Sequence, residues 1–119
     1  MAINITTPAV GSFGFFANGT SVDLSDVEEL KAAPVAGLSI YIDYLTISSG
    51  AAIDVTIGEG ETTPGAIDTV LLGPITFAEG QCIQWTFLNG GMKLTAITSL
   101  VVGASGAGDV CVFASGRVQ

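Results

Sequence analysis

The stretch GASGAGDVCVF, residues 103–113, sets three glycines ahead of an acid and a thiol. Glycine-rich loops cradle phosphates, but a Walker-type loop ends in Gly-Lys-Ser/Thr, and its lysine supplies the charge that holds the anion. No lysine follows here. A dinucleotide loop runs from a strand into a helix, whereas DVCVFASG alternates like a second strand. SLVVGASGAGDVCVF therefore reads as a hairpin: strand, glycine-rich turn, strand.

Histidine is absent, which removes Ser-His-Asp and Cys-His catalysis together with the commonest metal ligand. Cys82 and Cys111 have no cation beside them in sequence to lower their pKa. They read as buried, inert thiols, with a disulfide between neighbouring strands as the second reading. Asp54, Glu59, Glu61, Asp68 and Asp109 fall in or beside turns. Calcium takes about six to eight oxygens in a characteristic spacing, and GEGETTPGAID lacks that spacing. A solvated acidic rim is preferred over a calcium site. Paired acids for glycoside hydrolysis would be expected beside aromatic sugar platforms, yet the single Trp85 falls on a core-facing phase. No catalytic, cofactor-binding or metal-binding residue is assigned, and no cofactor is expected.

The elements that must position these residues are short and strand-like. Ile53-Asp-Val55-Thr-Ile57 and Ile83-Gln-Trp85-Thr-Phe87 alternate apolar and polar, the period of a half-buried strand. Residues 39–48, 69–77, 99–104 and 109–118 give further strands, with turn residues recurring about every ten positions, as in a sandwich or barrel. SDVEELKAA opens with a capping-box match at Ser25, but its setting among strands and its acidic residues favour an edge strand. Without crossover helices the sheets should be antiparallel. Two facing sheets would bury Leu45, Ile47, Ile53, Val55, Ile57, Leu71, Ile75, Ile83, Trp85, Phe87, Leu100, Val102, Val110 and Val112. The length suits one domain. Residues 1–26 are expected to form an N-terminal arm or the first strand or strands, with an inter-subunit contact there, and residues 27–119 the β-sandwich core.

Charge restricts the partners. Three Lys and Arg stand against 11 Asp and Glu, a formal net charge of −8. Nucleic-acid binding draws its affinity from neutralising phosphates, so neither nucleic acid nor an anionic membrane surface is an expected partner. No run of about 18 apolar residues offers a membrane helix. MAINITTPAV has neither a basic start nor an unbroken apolar run, so no signal peptide is expected. Synthesis in a reducing cytoplasm with free thiols follows.

Four stretches carry a resemblance: EELKAAPVAGLSIYIDYLTISSG, AAIDVTIGEGE, LLGPITFAEGQ and MKLTAITSLVVGASGAGDVCVFASGRV. Their telling parts are AAP-x-AG before an aromatic strand, Gly73-Pro74 within a strand, the turn Lys93 to Ala96, and the closing glycine-rich segment with its Ser115-Gly116 exit. Over about residues 27–118 the chain resembles small phage structural proteins of the jelly-roll kind, especially capsid cement (decoration) proteins of tailed phages. The resemblance implies an all-β, antiparallel two-sheet β-sandwich, jelly-roll-like, with a short irregular N-terminal arm. It also implies a non-enzymatic virion protein, made in the host cytoplasm. Such a protein self-associates as a homotrimer, binds the major capsid protein on the outer capsid surface and bridges capsomers. Phe13, Phe15 and Phe16 are the candidate interface anchors, since aromatic residues dominate interface energetics. The equal alternative is that they complete the domain's own core. A receptor- or carbohydrate-binding module of a phage tail or fibre is the competing function. It would need a surface aromatic or a calcium site.

Overall fold

The computed structural model describes residues 13–60 and 66–119. Among these residues nine strands follow in order: β1 Phe13–Asp23, β2 Glu28–Lys31, β3 Ile40–Ser49, β4 Asp54–Gly60, β5 Thr69–Thr76, β6 Gln81–Thr86, β7 Met92–Lys93, β8 Ser99–Ala104 and β9 Ala107–Val118. They form two antiparallel sheets. One has the order β1-β9-β3-β6, with the short β7 also paired to β3; the other has the order β2-β8-β4-β5. The expected antiparallel two-sheet β-sandwich is what the structure shows, and SDVEELKAA supplies the edge strand β2. Pairing is nested: β1 with β9, β2 with β8, β3 with β6 and β4 with β5. The chain is therefore a long antiparallel ribbon folded over on itself.

The core lies between the sheets. Leu45, Ile47, Val55, Ile57, Leu100, Val102, Val110 and Val112 are buried there as expected, joined by Phe15, Ala17, Leu24, Leu30, Ile40, Ile42, Phe77, Leu94, Ala114 and Val118. Ile53, Leu71, Ile75, Ile83, Trp85 and Phe87 pack against this core but are only partly covered. The gap in cover lies on the β5–β6 side.

The glycine-rich stretch is a turn but not a hairpin. β8 pairs with β2 and β4, whereas β9 pairs with β1 and β3. Ser105 and Gly106 thus carry the chain from one sheet to the other. The corner is pinned by Asp54: its N–H donates to Ser105 Oγ and its carbonyl accepts from the Ser105 N–H, each at 2.9 Å. Beyond it, Gly108 takes φ +156°, and a Cβ there would lie 2.5 Å from the Ala51 side chain. The glycines make room for a sheet-to-sheet corner.

Residues 13–23 form a full strand, paired with β9 from Phe13 opposite Val118 to Asp23 opposite Ala107. Residues 1–12 of the expected arm, and Glu61 of the acidic loop, lie outside the described residues.

Candidate interface on the five-stranded sheet

The two sheets present different outer faces. Over the four-stranded sheet, Val27 and Ile67 fold back across the strands: a Cβ on Gly103 would lie 3.0 Å from Val27 Cγ2 and 3.4 Å from Ile67 Cδ1. Val101, on β8, is consequently fully buried outside the main core. Among the described residues the other sheet has no such cover. Its register aligns outward side chains in rows across β1, β9, β3 and β6: Phe16, Ser115, Tyr44, Thr86; then Asn18, Phe113, Thr46, Gln84; then Thr20, Cys111, Ser48, Cys82. None of these residues is charged. In a chain of net charge −8, that is a broad neutral face.

Aromatic rings occupy its middle. Phe113 stacks on Phe16 at 6.4 Å between centroids and meets Tyr44 edge-on at 6.1 Å, the offset and T-shaped geometries that ring quadrupoles favour. Phe16 keeps 40% of its surface exposed. Phe15, one residue earlier, points the other way and is buried in the core, as alternation requires. Of the three expected anchors, Phe16 therefore lies on the surface and Phe15 does not; the side chain of Phe13 lies outside the described set.

A further row closes one end of the face: Arg117, Tyr41 and Lys93 are register partners. The Arg117 guanidinium lies 4.6 Å from the Tyr41 ring centre and the Lys93 ammonium 5.8 Å from it, both cation–π contacts. Arg117 also pairs with Asp43 at 3.2 Å and donates to Gly90 O at 2.8 Å and to Gln119 Oε1 at 2.7 Å. Two of the chain's three cations are fixed at this end.

At the opposite end lies an open depression of about 660 Å³, lined by Thr20, Ser48, Asp109 and Cys111 among others. Both cysteines are free and exposed, against the expectation of buried thiols. Cys111 and Cys82 flank Ser48 on either side. Two strand spacings separate them, roughly 9.5 Å, beyond the about 7 Å that a disulfide tolerates between Cα atoms. They are therefore not neighbouring-strand partners. Among the described residues no group of three or more His, Cys, Asp or Glu is placed to share a metal ion.

The acidic rim needs one correction. Glu59 is buried, in phase with Val55 and Ile57, and accepts the Thr95 N–H at 2.8 Å and the Thr95 hydroxyl at 2.6 Å. It is a structural latch on the loop after β7, not a solvated group.

No protein-family model matches the chain, and no curated protein matches it. Among solved structures, it is similar to a chain of the cyanophage Pam1 capsid asymmetric unit. That likeness has a TM-score of 0.44 and 12% sequence identity, over 98% of this chain and 93% of the other. Neither Phe113 nor Tyr44 was among the residues singled out from sequence, although both sit on the outward phase of strands whose inward phase is plain.

Proposed function

We propose that this chain is a non-enzymatic phage structural protein of the jelly-roll kind, a cement (decoration) protein. In this reading it docks on the outer capsid surface and stabilises contacts between capsomers. The observation that carries the proposal is the neutral face with Phe16, Phe113 and Tyr44 at its centre on an otherwise acidic chain. The nested strand pairing and the sequence resemblance over residues 27–118 support it. A large aromatic-centred face suits a protein that acts by burying surface, since aromatic residues dominate interface energetics. The acidic remainder suits the outside of a shell, away from packaged DNA and from anionic membranes.

The mechanism is mechanical. A protomer that binds the assembled shell and not its separated capsomers stabilises the assembly by mass action. Many copies multiply modest contacts through avidity. The partner is the major capsid protein. The resemblance implies three copies of this chain together.

The test is co-sedimentation of the purified protein with shells of the encoding phage that lack it. Saturable binding is expected, weakened about tenfold or more by Phe16→Asp, which places a charge at the centre of the face. No binding by the unaltered protein contradicts the proposal. The surface aromatics also meet one requirement of a carbohydrate-binding tail module. Glycan binding abolished by Phe16→Asp, with the protein on the tail, would favour that reading instead.

A further inference from the structure

The two sheets have four edges, and the sequence treats them differently. In the four-stranded sheet, β2 is only Glu28-Glu29-Leu30-Lys31 and slips register between Glu29 and Lys31. The ladder of β5 is interrupted twice against β4, and the strand contains Pro74. Charge, irregularity and proline are the devices that keep an edge from pairing with another chain. In the five-stranded sheet, β6 reads QCIQWT, with no charge, no proline and an unbroken ladder to β3. At the sheet's other edge, the inward Phe15 and Ala17 of β1 are fully covered; behind β6, Ile83, Trp85 and Phe87 are not. Among the described residues the sandwich is open at β6.

The backbone phase of that edge is fixed by hydrogen bonds. Gly80 N–H donates to Ser49 O at 2.8 Å and Phe87 N–H to Asp43 O at 2.9 Å, while Gly50 N–H donates to Asp109 O on β9 at 2.7 Å. Odd-numbered residues of β3 thus face β6 and even-numbered ones face β9. By antiparallel alternation, Ile83, Trp85 and Phe87 turn their backbone groups to β3. Cys82, Gln84 and Thr86 direct theirs outward.

We propose that β6 pairs antiparallel with β6 of a second copy of this chain, with Gln84 opposite Gln84. In this register Cys82 and Thr86 of one copy face Thr86 and Cys82 of the other. All three residues with outward backbone groups then exchange hydrogen bonds with a counterpart. Side chains stay on their proper faces: Ile83 lies opposite Trp85 on the inner side, so each copy covers the other's open mouth. Charge favours a second copy here. Chains of net charge −8 repel through most of their surface, but β6 brings no charge against its like. The nearest, Glu79, precedes the strand and is carried away from its counterpart. The contact is self-complementary, so it closes at two copies, against the three that the resemblance implies. It stands independently of docking on a shell.

Sedimentation equilibrium of the full chain across micromolar concentrations tests this, together with Gln84→Lys and Gln84→Glu. Gln84 is exposed, so both variants keep the monomer fold, checked by circular dichroism. The expected result is a dimer whose association weakens about tenfold or more in either variant and returns when the two are mixed. The Gln84 amide should also exchange hydrogen more slowly as concentration rises. A monomer at every concentration, a trimer, or a dimer indifferent to both variants would overturn the pairing. Shell binding is read separately on the unaltered chain, because Gln84 itself lies on the neutral face, so loss of one proposal does not entail loss of the other.

Discussion

Glu59 holds Thr95 by both of its hydrogen-bond donors, the backbone N–H at 2.8 Å and the hydroxyl at 2.6 Å. The carboxylate is buried, yet its two oxygens are each satisfied by one residue 36 positions away along the chain. Thr98 continues the arrangement by donating its hydroxyl to Thr95 O at 2.7 Å. The segment leading into β8 is thereby tied to the end of β4.

Removing that tie leaves the Thr95 amide, on a largely exposed residue, without its protein acceptor. Glu59→Ala should destabilise the fold by about 2 kcal/mol, the range for hydrogen bonds to a charged group. Glu59→Gln keeps one acceptor oxygen and should cost roughly half as much. Urea unfolding monitored by Trp85 fluorescence checks both; a loss below about 0.5 kcal/mol for Glu59→Ala would show the latch to be unimportant.

At Gly116 the backbone of β9 passes close to that of β3. A Cβ built there collides with the Tyr41 carbonyl, with Ile42 Cα only 3.0 Å away. The colliding atoms are backbone, so no rotamer change relieves them. Gly116→Ala should cost about 3 kcal/mol or more, seen as a lower unfolding midpoint. A neutral substitution would contradict the register between β3 and β9.

Both thiols should react in the native protein. Cys82 and Cys111 are exposed and too far apart to bridge one another. Maleimide labelling under native conditions should modify both, and intact mass without reductant should show no loss of two hydrogens. Protection of either thiol, or an internal bridge, would contradict the outward phase of β6 and β9.

Asp23 provides the pH dependence. Its carboxylate accepts the Ser25 hydroxyl at 2.5 Å and the Ser25 N–H at 2.9 Å, which together hold its pKa below the usual 3.8. A depressed folded-state pKa adds stability that is present above 3.8 and fades as pH falls through the lowered value. A carboxyl NMR titration should find the Asp23 midpoint below 3.8, and Ser25→Ala should raise it. An unchanged midpoint in that variant would assign the shift to another cause.

Much of this was legible in the residues, because one buried face imposes period two. β3, β4, β6 and β9 alternate and fall where the pattern places them. β1 has no clean period since its neighbours Phe15 and Phe16 both find apolar company, one in the core and one on Phe113. The β8–β9 corner reads as a hairpin in the sequence because turn chemistry specifies a bend and not which sheet receives the next strand. With Val110, Val112, Ile83 and Trp85 inward, Cys111 and Cys82 had to point outward, and Glu59 had to follow Val55 and Ile57 toward the interior. What no local pattern reveals is the lateral order of strands, which places Phe16 diagonally to Phe113 and Cys82 two strands from Cys111.

The most direct measurement of the proposed cementing role is heat-induced DNA release from particles of the phage that this proposal takes to encode the chain, made without this protein, before and after the purified chain is added back. Cementing predicts release at a lower temperature without the protein and restoration by the unaltered chain, but not by Phe16→Asp. Particles equally stable with and without it would contradict a cementing role.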